Sequence, residues 1–170
     1  RLSSVSAPWG VTGVTWETGG QRLKTLGAES FDYDGRGWLS SVTTPQGVRT
    51  YSYDGRGNRL TETMTGGTIQ TRHFSYDSAD RLVATQEWDG HIEAWALRAD
   101  GAKQQEKQWA AGTTFSQPFD FATPNPVVTE NYTYRTDGTL AAVTNAVSSV
   151  VEVGYVHDNN GQVTQRTVGG

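Results

Sequence analysis

The sequence predicts an all-β protein, a curved antiparallel meander of hairpins, and three observations carry that expectation. A short signal, an aromatic, a spacer, then Tyr-Asp followed by Gly and Leu, recurs in register along the chain. The segments that enter it alternate and are rich in Thr, Tyr and Phe, as a pleated, half-buried strand requires. Twenty glycines in 170 residues supply the turns.

The repeats fall in order. "VTWETGGQRL" sets the first mark at Trp16 and aligns residue for residue with "YSYDGRGNRL", placing Leu23 opposite Leu60. "FDYDGRGWL" gives Tyr33, Asp34, Gly37 and Leu39, and "YSYDGRGNRL" gives Tyr53, Asp54, Gly57 and Leu60. "FSYDSADRL" follows with Tyr76, Asp77 and Leu82; a weak copy, "WALRADG", puts Leu97 in the slot. "YTYRTDGTL" supplies Tyr134, Gly138 and Leu140, and "YVHDNNGQV" supplies His157, Asp158 and Gly161. The marks define one array over residues 1–170 in units of about twenty residues, enough for two strands and two turns.

Within a unit the Asp side chain bonds backbone N–H groups further along the turn, and the following Gly takes a positive φ, which together describe a type I turn closed by a left-handed residue. An acid used for catalysis would occur once or as a matched pair, whereas Asp34, Asp54, Asp77 and Asp158 recur in register. They read as turn chemistry. Between Leu97 and Tyr134 the spacing nearly doubles, and the segment at about 99–128 reads as an irregular insert: a degenerate unit, "GAKQQEKQWAAG", then a loop holding Pro118, Pro124 and Pro126. A short helix over 102–111 is the alternative there.

Hydrophobic residues make up 35% of the chain and aromatics 11%, six of them Trp, so the core is expected to be aromatic and shallow. A net charge of −4 without a basic run gives nucleic acid no footprint. No apolar run is long enough for a membrane helix, and no cysteine is present. The start, "RLSSVSAPWG", has neither initiator Met nor apolar leader and reads as part of a longer chain. His73, His91 and His157 lack ligand spacing, so neither metal nor cofactor is expected. No nucleophile motif occurs, and Glu17, Asp32, Glu62, Glu87, Glu93 and Glu130 read as a solvated strand face rather than a hydrolytic pair; no enzyme is expected.

The pattern in "FDYDGRGWL", "YSYDGRGNRL" and "FSYDSADRL" resembles the YD repeat of Rhs and teneurin-type proteins and of the shell-forming components of bacterial Tc toxin complexes. That resemblance implies a sheet spiralling into a shell, or an open, solenoid-like sheet. It also implies a secreted or cell-surface bacterial protein, and partners that are neighbouring repeats of the parent chain, a second copy, or an enclosed polypeptide cargo such as a toxin. Self-cleaving members end their repeats in a block containing Asp-Pro; this sequence has no such dipeptide, so that chemistry is not carried over. The alternative function is a carbohydrate-binding or adhesive module, in which Trp9, Trp38, Trp88, Trp95 and Trp109 would stack on sugar rings while Trp16, in a repeat slot, would not.

Overall fold

A computed structural model describes residues 3–7, 10–146, 151–158 and 160–169. Among them there is no helix and there are fifteen strands. These are β1 (Ser4–Ala7), β2 (Gly10–Trp16), β3 (Leu23–Leu26), β4 (Glu29–Tyr33), β5 (Leu39–Thr44), β6 (Gly47–Tyr53), β7 (Arg59–Thr65), β8 (Gln70–Tyr76), β9 (Leu82–Gln86), β10 (Ile92–Leu97), β11 (Lys103–Trp109), β12 (Val128–Tyr134), β13 (Leu140–Asn145), β14 (Val151–His157) and β15 (Val163–Val168). Hydrogen-bonded neighbours follow chain order from β1 to β15, so the sheet is an open meander. The chain divides into two compact units, Arg1–His73 and Phe74–Gly170.

In the first unit the antiparallel register is continuous from β2 to β8. Period-two alternation sorts its side chains cleanly. One face pairs Phe31 with Val42 and Tyr51 with Glu62. The other is hydroxylic: Ser30 faces Thr43, Thr50 faces Thr63, Ser52 faces Thr61 and Thr63 faces Thr71. Its hydroxyls satisfy one another, Thr15 with Thr25 at 2.6 Å, Ser52 with Thr61 at 2.6 Å and Thr63 with Thr71 at 3.0 Å.

The second unit carries the core. Ala84, Ile92, Ala94 and Trp109 are at most 1% exposed, and Phe119 joins them with Phe115 and Phe121 alongside. Here the structure departs from the expected insert at 99–128. Lys103–Trp109 is neither helix nor irregular but the full strand β11, paired with β10 and β12. Helix-favouring residues yield because both neighbours offer a ladder, a tertiary gain larger than the propensity difference. Only 110–127 lack strand, and they fold back onto the sheet: Phe119 N–H donates to Ser75 Oγ (3.0 Å), Gln117 Nε2 to Phe74 O (2.8 Å) and Trp109 Nε1 to Pro124 O (3.1 Å). The Gln117–Pro118 peptide is cis. Tyr and Leu of the repeats do not form the interior; they are half-buried, and Leu82 is exposed.

Candidate functional site

Each mark of the repeat ends the first strand of a hairpin: Trp16, Tyr33, Tyr53, Tyr76, Leu97, Tyr134 and His157. After Tyr33, Tyr53, Tyr76, Leu97, Tyr134 and His157 the turn has one backbone form. The first turn residue donates its N–H to the carbonyl four residues on, as Asp34 does to Trp38 (2.8 Å), Asp77 to Arg81 (2.9 Å) and Asp158 to Gln162 (2.9 Å). The fourth returns its N–H to the first carbonyl, as Gly37 does to Asp34 (2.9 Å) and Gly138 to Arg135 (3.0 Å). That fourth residue has a positive φ, 89° at Gly37, 98° at Gly57, 84° at Gly138 and 76° at Gly161, and a register shift at the mark records the bulge that closes such a turn.

The aspartate side chain fastens the turn from inside. Oδ1 of Asp34 accepts the N–H of Arg36 and of Trp38 (both 2.9 Å), Asp54 does so from Arg56 and Asn58, Asp77 from Ala79 and Arg81, and Asp158 from Asn160 and Gln162. Where the first position holds Arg98 or Arg135, and in the like turn that Glu87 opens between β9 and β10, an aspartate two residues later takes over the last of these bonds. Asp89 accepts from His91 N–H, Asp100 from Ala102 N–H and Asp137 from Thr139 N–H. Sequence reading had no slot for these three, although "DG" inside each turn was the available signal. At Asp34, Asp77 and Asp89 these bonds hold the carboxyl below the ordinary aspartate range, led by the N–H of Trp38, Arg81 and His91 respectively.

The tyrosines explain why the slot favours a hydroxylated ring. Tyr33 donates its hydroxyl to Leu23 O (3.0 Å), Tyr53 to Leu39 O (2.8 Å) and Tyr134 to Lys103 O (2.7 Å). Each acceptor is the residue that opposes the mark of the preceding hairpin: Leu23 opposes Trp16, Leu39 opposes Tyr33, and Lys103 opposes Leu97. Every such tyrosine therefore bolts its hairpin to the one before. Desolvation raises the Tyr53 and Tyr134 pKa values, keeping both as neutral donors. The turns are stitched as well. Arg36 Nη1 donates to Asp54 O (3.2 Å), Arg81 Nη1 to Arg98 O (2.8 Å), and the Trp38 ring lies where a Cβ on Gly57 would come within 3.0 Å of it.

The aligned leucines are not equivalent. Leu23, Leu39 and Leu140 oppose their marks, but Tyr53 is opposed by Arg59, leaving Leu60 one residue further on. The cause is the Trp16 turn, one residue longer, in which Glu17 N–H reaches Arg22 O. A gapless alignment of "VTWETGGQRL" with "YSYDGRGNRL" concealed that extra residue.

Trp38 is covered by the Arg36 guanidinium (3.9 Å to the ring centroid) and by Tyr53. Trp95 donates to Glu106 Oε2 (3.1 Å) with Lys103 Nζ over its ring, and Trp88 is half-buried. Trp109 is buried, so its ring cannot meet a sugar, while Trp16, set aside as a repeat-slot residue, is exposed. Trp9 lies outside the described residues.

Charged groups pair locally. Glu17 meets Arg22 (2.6 Å), Asp32 meets Lys24 (3.4 Å), and His91 contacts Asp89. Two carboxylates are buried, and both lie opposite the aromatic two residues before a mark: Glu62 opposite Tyr51, and Glu106 opposite Trp95. Glu62 faces Arg59 (3.3 Å) and Arg49 (3.6 Å). Glu106, absent from the sequence candidates, gathers Lys103, Gln108, Trp95 and Tyr132. His73 is half-buried and desolvation lowers its pKa. Among the described residues no cluster of three His, Cys, Asp or Glu could hold a metal.

The RHS repeat model matches residues 33–69, the stretch from the Tyr33 turn through β7. No curated protein matches the chain in sequence. Among solved structures the chain is similar to that of TcdB2-TccC3-Cdc42, with a TM-score of 0.55 at 16% identity over 99% of this chain and 11% of that one. It is likewise similar to TcdB2-TccC3-TEV (TM-score 0.56, 15% identity, 99% and 11% covered) and to the Photorhabdus luminescens Tc holotoxin pore (0.51, 16%, 93% and 10%). At such identity these likenesses establish the fold, and the chain spans about a tenth of the length of the chains it matches. The RHS repeat match over residues 33–69 and the likeness in fold to the Tc toxin structures thus agree with a turn that recurs after six of the seven marks.

Proposed function

We propose that the chain is a stretch of wall in a larger exported protein whose sheet encloses a polypeptide cargo such as a toxin, and that its role is mechanical rather than catalytic. The seam carries this reading: Tyr33, Tyr53 and Tyr134 each bind a carbonyl of the hairpin before, so a hairpin needs only its predecessor and the array extends by addition. β15 supports it. Its side chains are exposed throughout, with Val163 and Val168 among them, a surface that a neighbouring repeat or a second copy would cover. The likeness to Tc toxin structures supports enclosure and export. Trp38, Trp95 and Trp109 are each engaged by their own neighbours, which speaks against a glycan platform built on them.

The test is protease protection in the full-length parent. A cleavage site placed in the enclosed segment should survive protease while the wall is native and be cut once denaturant opens it. Equal cutting rates in both states would reject enclosure.

A further inference from the structure

The hydrogen-bond inventory at Tyr132 does not close with one proton. Its hydroxyl oxygen lies 3.2 Å from Glu106 Oε2 and 3.1 Å from Glu130 Oε2, yet a phenol has a single O–H to donate. Glu106 and Glu130 are directly opposed across β11 and β12, where two bare carboxylates would repel. Glu106 is the one fixed as an anion: Lys103 Nζ (2.7 Å) and Trp95 Nε1 (3.1 Å) donate to Oε2, and Gln108 Nε2 (3.1 Å) to Oε1. The second proton therefore belongs to Glu130. We propose that Glu130, Tyr132 and Glu106 form a proton-bridged latch across β11 and β12, with carboxyl donating to phenol and phenol to carboxylate, that is closed in mild acid and opens as the pH rises.

The surroundings of Glu130 set the direction. From β11 it faces Glu106 and, beyond it, Lys103; from its own strand Tyr132; from β13 its ladder partner Asn145, uncharged and donating to Glu152 Oε1 (3.2 Å); and from β14 Glu152 itself. One lysine stands against three carboxyls. Desolvation, then Glu152, an alternative acceptor for the same proton, raises the Glu130 pKa, whereas Glu106, despite desolvation, is held low by Lys103 and Gln108. Burial, with the Glu106 charge next, pushes the Tyr132 phenol up and keeps it a donor. A raised folded pKa contributes stability that is complete below the unfolded value and is lost as pH rises through the folded value; a lowered one is lost as pH falls. The latch is therefore tightest between the Glu106 and Glu130 transitions.

The experiment reads the side-chain carboxyl ¹³C shift of Glu130 and amide hydrogen exchange, corrected for intrinsic rates, from pH 5 to pH 8. Glu130 should titrate above the ordinary glutamate value, and β11–β12 amides should exchange several-fold faster at pH 8 than at pH 5 while β6–β7 amides do not change. Glu130→Gln, which donates without titrating, should abolish that difference. Titration of wild-type Glu130 at or below the ordinary value would overturn the proposal, as would an unchanged pH response in Glu130→Gln.

Discussion

The two units build the same hairpin and differ in what covers it. At corresponding repeat positions the first unit places Thr61 and Thr65 where the second has Ala84 and Trp109. Between hairpins the first unit connects its strands through 27–28, 45–46 and 66–69, whereas the second spends 110–127 after β11 and returns three phenylalanines to the sheet. Small side chains at Ala84 and Ala94 leave the depth those rings fill. Among the described residues the first unit buries one apolar side chain, Val14, and meets water with hydroxyls that bond one another. The repeat motif thus specifies the backbone of a unit, and the connection between hairpins specifies its core.

Removing the core's anchor should separate the units most. Trp109→Ala deletes a ring that packs edge-on against Phe119 and Phe121 and should cost about 3–5 kcal/mol, as large-to-small changes at buried aromatic positions do. Urea unfolding followed by hydrogen exchange should show the loss in β9–β11 with β5–β7 unaffected. On the exposed hydroxyl face Thr50→Ala should stay within about 0.5 kcal/mol. Comparable losses from both changes would mean that the units share one core.

This contrast also marks what the sequence could reveal. Turn chemistry is local, so Asp34, Asp54, Asp77 and the glycines after them display strand ends and hairpin order without knowledge of packing. Cover is not local. Phe115, Phe119 and Phe121 follow neither strand nor helix period, and prolines among them suggested a loop with nothing to bury; the available signal was that three of the five phenylalanines sit in a segment with no strand to carry them. Glu106 was hidden for a related reason. In "KQQEKQW" it looks like one more solvated charge, and its burial depends on Trp95 and Tyr132 from neighbouring strands.

Turn position four gives a smaller and sharper comparison. Gly57 in the first unit holds φ 98°, beyond the left-handed helical basin, with the Trp38 ring over the position a Cβ would take. Asp80, its counterpart in the second unit, holds φ 59°, inside the basin that aspartate visits. Gly57→Ala should therefore cost about 1–2 kcal/mol. Asp80→Gly should change stability by less, since relief of strain and added chain entropy oppose each other. Chemical denaturation of the two variants decides it; equal losses would deny the difference in backbone.

Acid should act on both units alike, because their turns share one chemistry. Asp34, Asp77 and Asp89 are held low, each led by a backbone N–H. Asp54 is held low against desolvation by the Asn58 side chain and N–H, and Asp137 by the Thr139 hydroxyl and N–H. Folded pKa values below the unfolded one make stability complete above the ordinary aspartate value and erode it as pH falls through the folded values. Thermal melts below pH 4 should therefore fall in parallel for the two units, and Asp54→Asn, which keeps an acceptor oxygen but does not titrate, should flatten the first unit's decline. Salt separates the causes: bonds to backbone N–H groups are not screened, whereas the pairs with Arg36 and Arg81 at these exposed turns are. An acid decline that persists in 1 M salt assigns the aspartates to the backbone, and one that salt removes assigns them to the arginines.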